Sequence, residues 1–148
     1  MTDPTQKPIA IASDHAGFAL KEALKLALGR WGVAFEDLGT KSEASTDYPD
    51  YAHAVASGVE QGRYRLGVLV CGTGLGMSMA ANRHRGVRAA VCTEAYAARM
   101  TRQHNDANVL CLGSRIVGPG LAEEILKTFL EGSFEGGRHA GRVAKIES

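Results

Sequence analysis

Two short segments of the chain carry residue types that could do chemistry. In Ser13-Asp14-His15-Ala16-Gly17 a carboxylate precedes an imidazole. One accepts hydrogen bonds and the other can donate, so the pair can grip sugar hydroxyls or relay a proton; capping of a following helix by Asp14 or Ser13 is the plainer use. In Cys71-Gly72-Thr73-Gly74-Leu75-Gly76-Met77-Ser78, alternating glycines let backbone N–H groups converge into a nest for an anion, with a thiol at its rim. A dinucleotide fingerprint fails because Met77 stands where its third glycine belongs, and a Walker loop fails for want of Gly-Lys-Ser/Thr. A phosphatase-type loop needs arginine in the place of Met77, and Gly76-Met77-Ser78-Met79-Ala80 lacks the last glycine of a nucleophile elbow. An oxyanion-type nest beside a cysteine remains. Helix starts and nearby donors stabilise thiolates, which serve as base or nucleophile; a cysteine that merely ends a buried strand is a small hydrophobe. The second description suits Cys92 and Cys111, which no anion nest follows.

Further groups lie downstream. His104 and Asn105 close a helix in Arg102-Gln103-His104-Asn105-Asp106, where a cation also caps the helix dipole. Arg115 follows Gly113-Ser114. Arg138, His139 and Arg142 form a basic cluster after Gly136-Gly137. Two arginines four apart can face one way and hold a phosphate through fork-shaped donors, or they can belong to a solvated tail. His53 and His84 read as surface residues, on a helix and in a loop. The five histidines show neither HExxH nor paired ligand spacing, so no metal is expected.

The elements that must position these groups follow from length and pattern. A chain of 148 residues is a prior for one domain, 1–148, and is long enough to fold without disulfide or structural metal. Its 45% hydrophobic and 22% charged composition is that of an ordinary globule, and a net charge of +1 removes the broad basic field of a nucleic-acid binder. Neither nucleic acid nor a membrane is expected as a partner, since no apolar run approaches the length of a span. Met1 to Pro8 are polar, without the apolar core of a secretory signal, and residues 1–6 are expected to be flexible. Three widely spaced cysteines, an odd number, point to reduced thiols in the cytoplasm.

Apolar runs at 9–12, 33–38, 66–71, 88–92 and 108–113 read as strands. Helical spacing links Phe18, Leu20, Leu24, Leu28 and Trp31, and helices are expected again at 49–62, 76–83, 94–103 and 119–131. Strand then helix, five times, with continuous rather than alternating apolar strands, predicts a Rossmann-like α/β three-layer sandwich with a five-stranded parallel sheet. Ligands of such sheets bind beyond the strands' carboxyl ends, near the point where strand order reverses. Asp14, Cys71 and Arg115 follow strands and belong to that edge.

Taken in order, the chain resembles the B-type ribose-5-phosphate isomerase family, which also contains galactose- and allose-6-phosphate isomerases. The matching segments are Ser13 to Gly17, Thr46-Asp47-Tyr48-Pro49, Cys71 to Gly76, Ala80-Ala81-Asn82-Arg83, Arg102 to Leu110, Gly113-Ser114-Arg115, and Phe134-Glu135-Gly136-Gly137-Arg138-His139 through to Arg142. They cover nearly the whole chain. The resemblance implies interconversion of D-ribose 5-phosphate and D-ribulose 5-phosphate, in the pentose phosphate pathway, without metal or cofactor. It implies that Cys71 is the base moving a proton between C2 and C1, paired with Thr73, and that Gly72, Thr73, Gly74, Leu75 and Gly76 form the nest for enediolate oxygens. It implies that His104 opens the furanose ring with help from Asp14 and Tyr48, and that His15, Arg115, Arg138 and Arg142 take the phosphate, with Asn105 on the sugar. The C-terminal segment 133–148 thus contributes to phosphate binding. In another subset of the family the base is a glutamate in the glycine loop; Met77 fills that place here, so Cys71 has no rival.

Topology adds an expectation of its own. His104 follows a helix and belongs to the amino edge of the sheet, as does the tail carrying Arg138, whereas Cys71 belongs to the carboxyl edge. One chain does not easily bring both sets together. A homodimer with sites between subunits is expected, His104 and Asn105 entering from the partner; the tail arginines either accompany them or swing round within one chain. A six-carbon sugar phosphate as substrate, and a non-catalytic sugar-phosphate-binding module, are the alternatives.

Overall fold

The carboxyl ends of the two central strands meet at a reversal of strand order, and the architecture that puts them there is a five-stranded all-parallel sheet in the order β2-β1-β3-β5-β4. The coordinates are a computed structural model, which describes residues 6–147. The strands are β1 (Ile9–Ser13), β2 (Phe35–Asp37), β3 (Gly67–Cys71), β4 (Ala89–Val91) and β5 (Val109–Gly113). The helices are α1 (Phe18–Arg30), α2 (Tyr48–Glu60), α3 (Leu75–Ala81), α4 (Ala95–Asn105), α5 (Pro119–Glu131) and α6 (Arg138–Ala144), followed by a 3-10 turn at Lys145–Glu147.

Every residue of β1, β3 and β5 is buried, as their unbroken apolar runs require when helices cover both faces of a sheet. Leu20, Leu24 and Leu28 of α1 pack with Ile125, Leu126 and Phe129 of α5 and Ala98 of α4 on one face; Ala52, Val55 and Ala56 of α2 pack with Met77 and Ala81 of α3 on the other. The three-layer α/β sandwich expected from the sequence is therefore present. The expected strands 33–38 and 88–92 shrink to three residues each. Both lie at sheet edges with a single neighbour, so only the paired centre of each apolar run is held in register.

The C-terminal segment departs from a simple solvated tail. After α5 the chain turns through Gly136 and Gly137, both at positive φ (67° and 55°), into α6, which packs on α4. A left-handed φ of that kind is available to glycine at little cost. The expectation of a flexible start falls mainly on residues 1–5, which lie outside the described residues.

β1 and β3 are paired, Ser13 opposite Val70, while β2 lies on the far side of β1. The reversal of strand order thus falls between β1 and β3, and the residues just beyond them, Asp14 and Cys71, share one crevice.

Candidate active site

A hollow of about 320 Å³ opens at that crevice, lined by Asp14, His15, Ala16, Tyr48, Cys71, Gly72, Thr73, Gly76 and Arg115. Cys71 ends β3, is 5% exposed and is one of the residues that line the hollow. Its Sγ accepts the Gly74 backbone N–H at 3.1 Å. This bond ties the sulfur to the glycine loop that follows it. Gly74 reaches this position with φ +81°, and a Cβ there would stand 3.1 Å from the Leu112 backbone. The loop is stiffened from within: Thr73 Oγ1 accepts the Leu75 N–H at 3.3 Å, and Ser78 Oγ donates to the Leu75 carbonyl at 2.7 Å.

The other two cysteines are free thiols in different surroundings. Burial, with a lesser effect of Glu94, pushes the Cys92 thiol up to about 11, and full burial pushes Cys111 further still. They are packing residues, as expected, and neither lines the hollow.

Asp14 is buried, and its Oδ1 accepts the Gly17 N–H at 3.1 Å, so the same carboxylate closes the turn into α1 and borders the hollow. His15 is held by the loop before α2: its Nδ1 accepts the Thr46 backbone N–H at 3.1 Å. A neutral imidazole that accepts on one nitrogen donates from the other, so this bond leaves the Nε2–H of His15 as a donor for an anion. Arg115 folds across Gly72, where an added Cβ would come 3.1 Å from Nη1, and its own N–H donates to the Gly72 carbonyl at 3.0 Å. Ser114 ties the edge together, donating from its N–H to the Cys71 carbonyl and from Oγ to the Ala16 carbonyl, each at 2.8 Å. Tyr48, at the start of α2, lays its ring against Gly76, which has no room for a Cβ.

One buried cation anchors this rim. Lys21 of α1 is fully buried, donates to Asp37 Oδ1 at 2.7 Å and reaches the Thr40 carbonyl, pinning the loop that leads to Tyr48. Burial alone would raise the Asp37 carboxyl, but hydrogen bonds from Lys21, Lys25 and the Gly39 N–H outweigh it and hold the group below its ordinary value.

The sequence-predicted residues thus fall into two groups. Asp14, His15, Tyr48, Cys71, Gly72, Thr73, Gly76 and Arg115 line one hollow; Gly74, which caps α3, and Leu75, its first residue, are next to these in the chain but do not line it. His104, Asn105, Arg138 and Arg142 are elsewhere. His104 and Asn105 end α4, and Asn105 lines a different cavity with Arg88, Ala89 and Ala107 at the amino edge. Arg138 and Arg142 stand on α6, which stays beside α4 instead of swinging to the hollow. Two features have no mark in the sequence pattern. One is the Thr46 contact that orients His15. The other is a cluster of His104, Glu135 and His139 whose ligand-type atoms all lie within 4.8 Å of one another, a grouping that linear spacing of histidines does not reveal. His53 is exposed as expected, whereas His84 is half-buried, and their ring nitrogens are 2.7 Å apart.

Comparison with known proteins agrees with this geometry. A ribose/galactose isomerase family profile matches residues 9–146. Ribose-5-phosphate isomerase B of Escherichia coli (strain K12) is 50% identical over 140 residues, covering 95% of this chain and 94% of that protein. The crystal structure of a ribose 5-phosphate isomerase from Thermotoga maritima superposes with a TM-score of 0.93 at 52% identity, covering 95% of this chain and 97% of the other. That of ribose-5-phosphate isomerase B from Mycoplasma genitalium with bound ribulose-5-phosphate gives 0.90 at 45% identity, over 94% and 93% of the two chains. The chain belongs to the ribose/galactose isomerase family.

Proposed function

We propose that this protein interconverts D-ribose 5-phosphate and D-ribulose 5-phosphate, with Cys71 as the base. The C2 proton of the open-chain aldose passes to Sγ, and its electron pair moves into the C1–C2 bond and on to O1. A proton then shifts from O2 to O1, and the thiol returns its proton to C1, giving the ketose. Charge builds on the oxygens of this enediolate, and the donors that meet it are the N–H groups of the Gly72 to Gly76 nest that are not already given to Cys71 Sγ and Thr73 Oγ1. Preorganised donors of this kind are worth about 2.7–4 kcal/mol each. Thr73 braces the loop beside the sulfur. The Nε2–H of His15 and the Arg115 guanidinium take the phosphate, and Asp14 and Tyr48 assist the ring-opening step.

His104 opens the furanose ring and Asn105 holds the sugar, both supplied by the second subunit of a homodimer, with Arg138 and Arg142 of the same α6 completing the phosphate grip. The separation of these residues from the hollow supports this arrangement, because they lie with α4 and α6 at the opposite edge of the sheet. Exposed apolar side chains support it as well: Leu75 and Met79 of α3, the helix that follows the glycine loop, are 53% and 64% exposed, a surface that a second copy would cover. The same reading assigns the protein to the cytoplasm and to the pentose phosphate pathway, in keeping with three free thiols. Among the described residues no helix is long and apolar enough to cross a membrane.

The observation that carries the proposal is that Cys71 lines a hollow while its sulfur accepts a main-chain N–H from the glycine loop. Cys71→Ala should lower kcat on ribose 5-phosphate by about 10²-fold or more while leaving substrate affinity within a few-fold. Retained turnover would end the assignment. Comparing kcat/KM on ribose 5-phosphate and allose 6-phosphate then fixes the length of the substrate, with the five-carbon sugar expected to be preferred.

A further inference from the structure

The amino edge holds a second arrangement of acid and base. Glu135 Oε1 lies 3.3 Å from Nε2 of His104 and 3.7 Å from Nε2 of His139, and the two imidazoles stack with centroids 4.2 Å apart and planes 13° from parallel. The segment bearing Glu135 is fastened to the end of α4 by its backbone. The Glu135 N–H donates to the Gln103 carbonyl at 3.0 Å, and the Arg102 guanidinium donates to the carbonyls of Ala107 (2.6 Å) and Gly132 (3.1 Å). Gly136 and Gly137 then turn the chain so that His139 returns over His104. Main-chain bonds thus hold the backbone of Glu135 beside the end of α4, within side-chain reach of His104.

We infer that Glu135 is a positioning residue for His104, fixing its tautomer and supporting the imidazolium that ring opening creates. This inference rests on the reading of His104 given above. A carboxylate at Nε2 keeps the proton on that nitrogen and leaves Nδ1 as the base facing the sugar, because a neutral imidazole carries one donor and one acceptor. Nδ1 takes the proton of the anomeric hydroxyl, the freed O1 pair closes the C1=O1 carbonyl, the C1–O4 bond breaks, and the imidazolium gives the same proton to O4. The charge that appears briefly on the ring is matched by Glu135, whose side chain is 51% exposed and so acts from the rim. Burial, then the neighbouring His104 and Arg138, hold the His139 imidazole below its ordinary value. Its stacked ring restricts rotation of His104.

The test is a double-mutant cycle on the full-length enzyme. Glu135→Gln, which keeps size and shape, should lower kcat on ribose 5-phosphate about tenfold with KM within about twofold, and Glu135→Asp should recover part of that loss. In a His104→Asn background, Glu135→Gln should change kcat by less than about twofold, because a positioning residue has nothing left to position. Wild-type kcat in Glu135→Gln, the same fold loss in the His104→Asn background, or a loss that follows a lowered Tm in both the Gln and Asp variants would each overturn the inference while leaving the role of His104 intact. Full turnover by His104→Asn alone would remove the reading of His104 and this inference with it.

Discussion

The two edges of the sheet are built in opposite ways. At the carboxyl edge every functional side chain except Tyr48, which starts α2, sits within a few residues of a strand end, and a Cβ at Gly72, Gly74 or Gly76 would meet Arg115, the Leu112 backbone or the Tyr48 ring. At the amino edge the groups come from helix ends and a glycine turn, and Gly136, Gly137 and Gly141 have nothing within 4 Å of where a Cβ would stand. The first edge is preorganised by the core of its own chain. The second has His104, Glu135 and His139 together but lacks a hollow lined by Cys71. Under the function proposed above, each edge supplies half of a reaction centre, and a two-fold pair of chains would join the halves.

Mixing tests that division most sharply. Homodimers of Cys71→Ala and of His104→Asn should each be nearly inactive. Refolded together, they should recover about one quarter of wild-type turnover, since half the dimers are mixed and each mixed dimer keeps one site with both residues intact. No recovery in the mixture would place His104 in its own chain's site. Next in size is a change that disturbs the carboxyl edge alone. In Gly76→Ala the new Cβ would stand 2.4 Å from the Tyr48 ring. Moving Tyr48 should lower kcat/KM on ribose 5-phosphate between about tenfold and 10²-fold, read in steady-state kinetics, without preventing dimer formation in sedimentation.

The smallest effects concern the anchor beneath that edge. Lys21→Met strands the Asp37 carboxylate with Lys25 alone and should cost about 3 kcal/mol in urea unfolding at neutral pH. The acid limb of stability carries the same signature. Because the Asp37 carboxyl is held below its ordinary value, its contribution is present above about pH 4 and is lost as pH falls through the lowered folded value. Asp37→Asn should therefore be less stable than wild type at pH 7 and lose less of what remains between pH 5 and pH 2, as measured by urea midpoints.

Much of this was legible before any coordinates. Ile9–Ser13, Gly67–Cys71 and Val109–Gly113 are unbroken small and apolar runs, which only a strand buried on both faces accommodates. Asp14, Cys71 and Arg115 follow directly from those runs, so their shared edge was readable from connectivity. The helix Arg138–Ala144 was not, because His139 is its only buried residue and no apolar stripe marks it. The pairing of Thr46 with His15 was equally hidden, since it joins a backbone N–H to a side chain 31 residues away.

The order of strands and helices, the strand-end placement of the thiol and the glycine nest were determined by the sequence itself, since burial and periodicity act locally along the chain. Only the tertiary structure decided that strand order reverses between β1 and β3, that Thr46 sets the tautomer of His15, and that Glu135 and His139 converge on His104. These depend on the path of the backbone between distant residues. Two left-handed glycines and a few main-chain hydrogen bonds set that path, and no local pattern encodes where it ends.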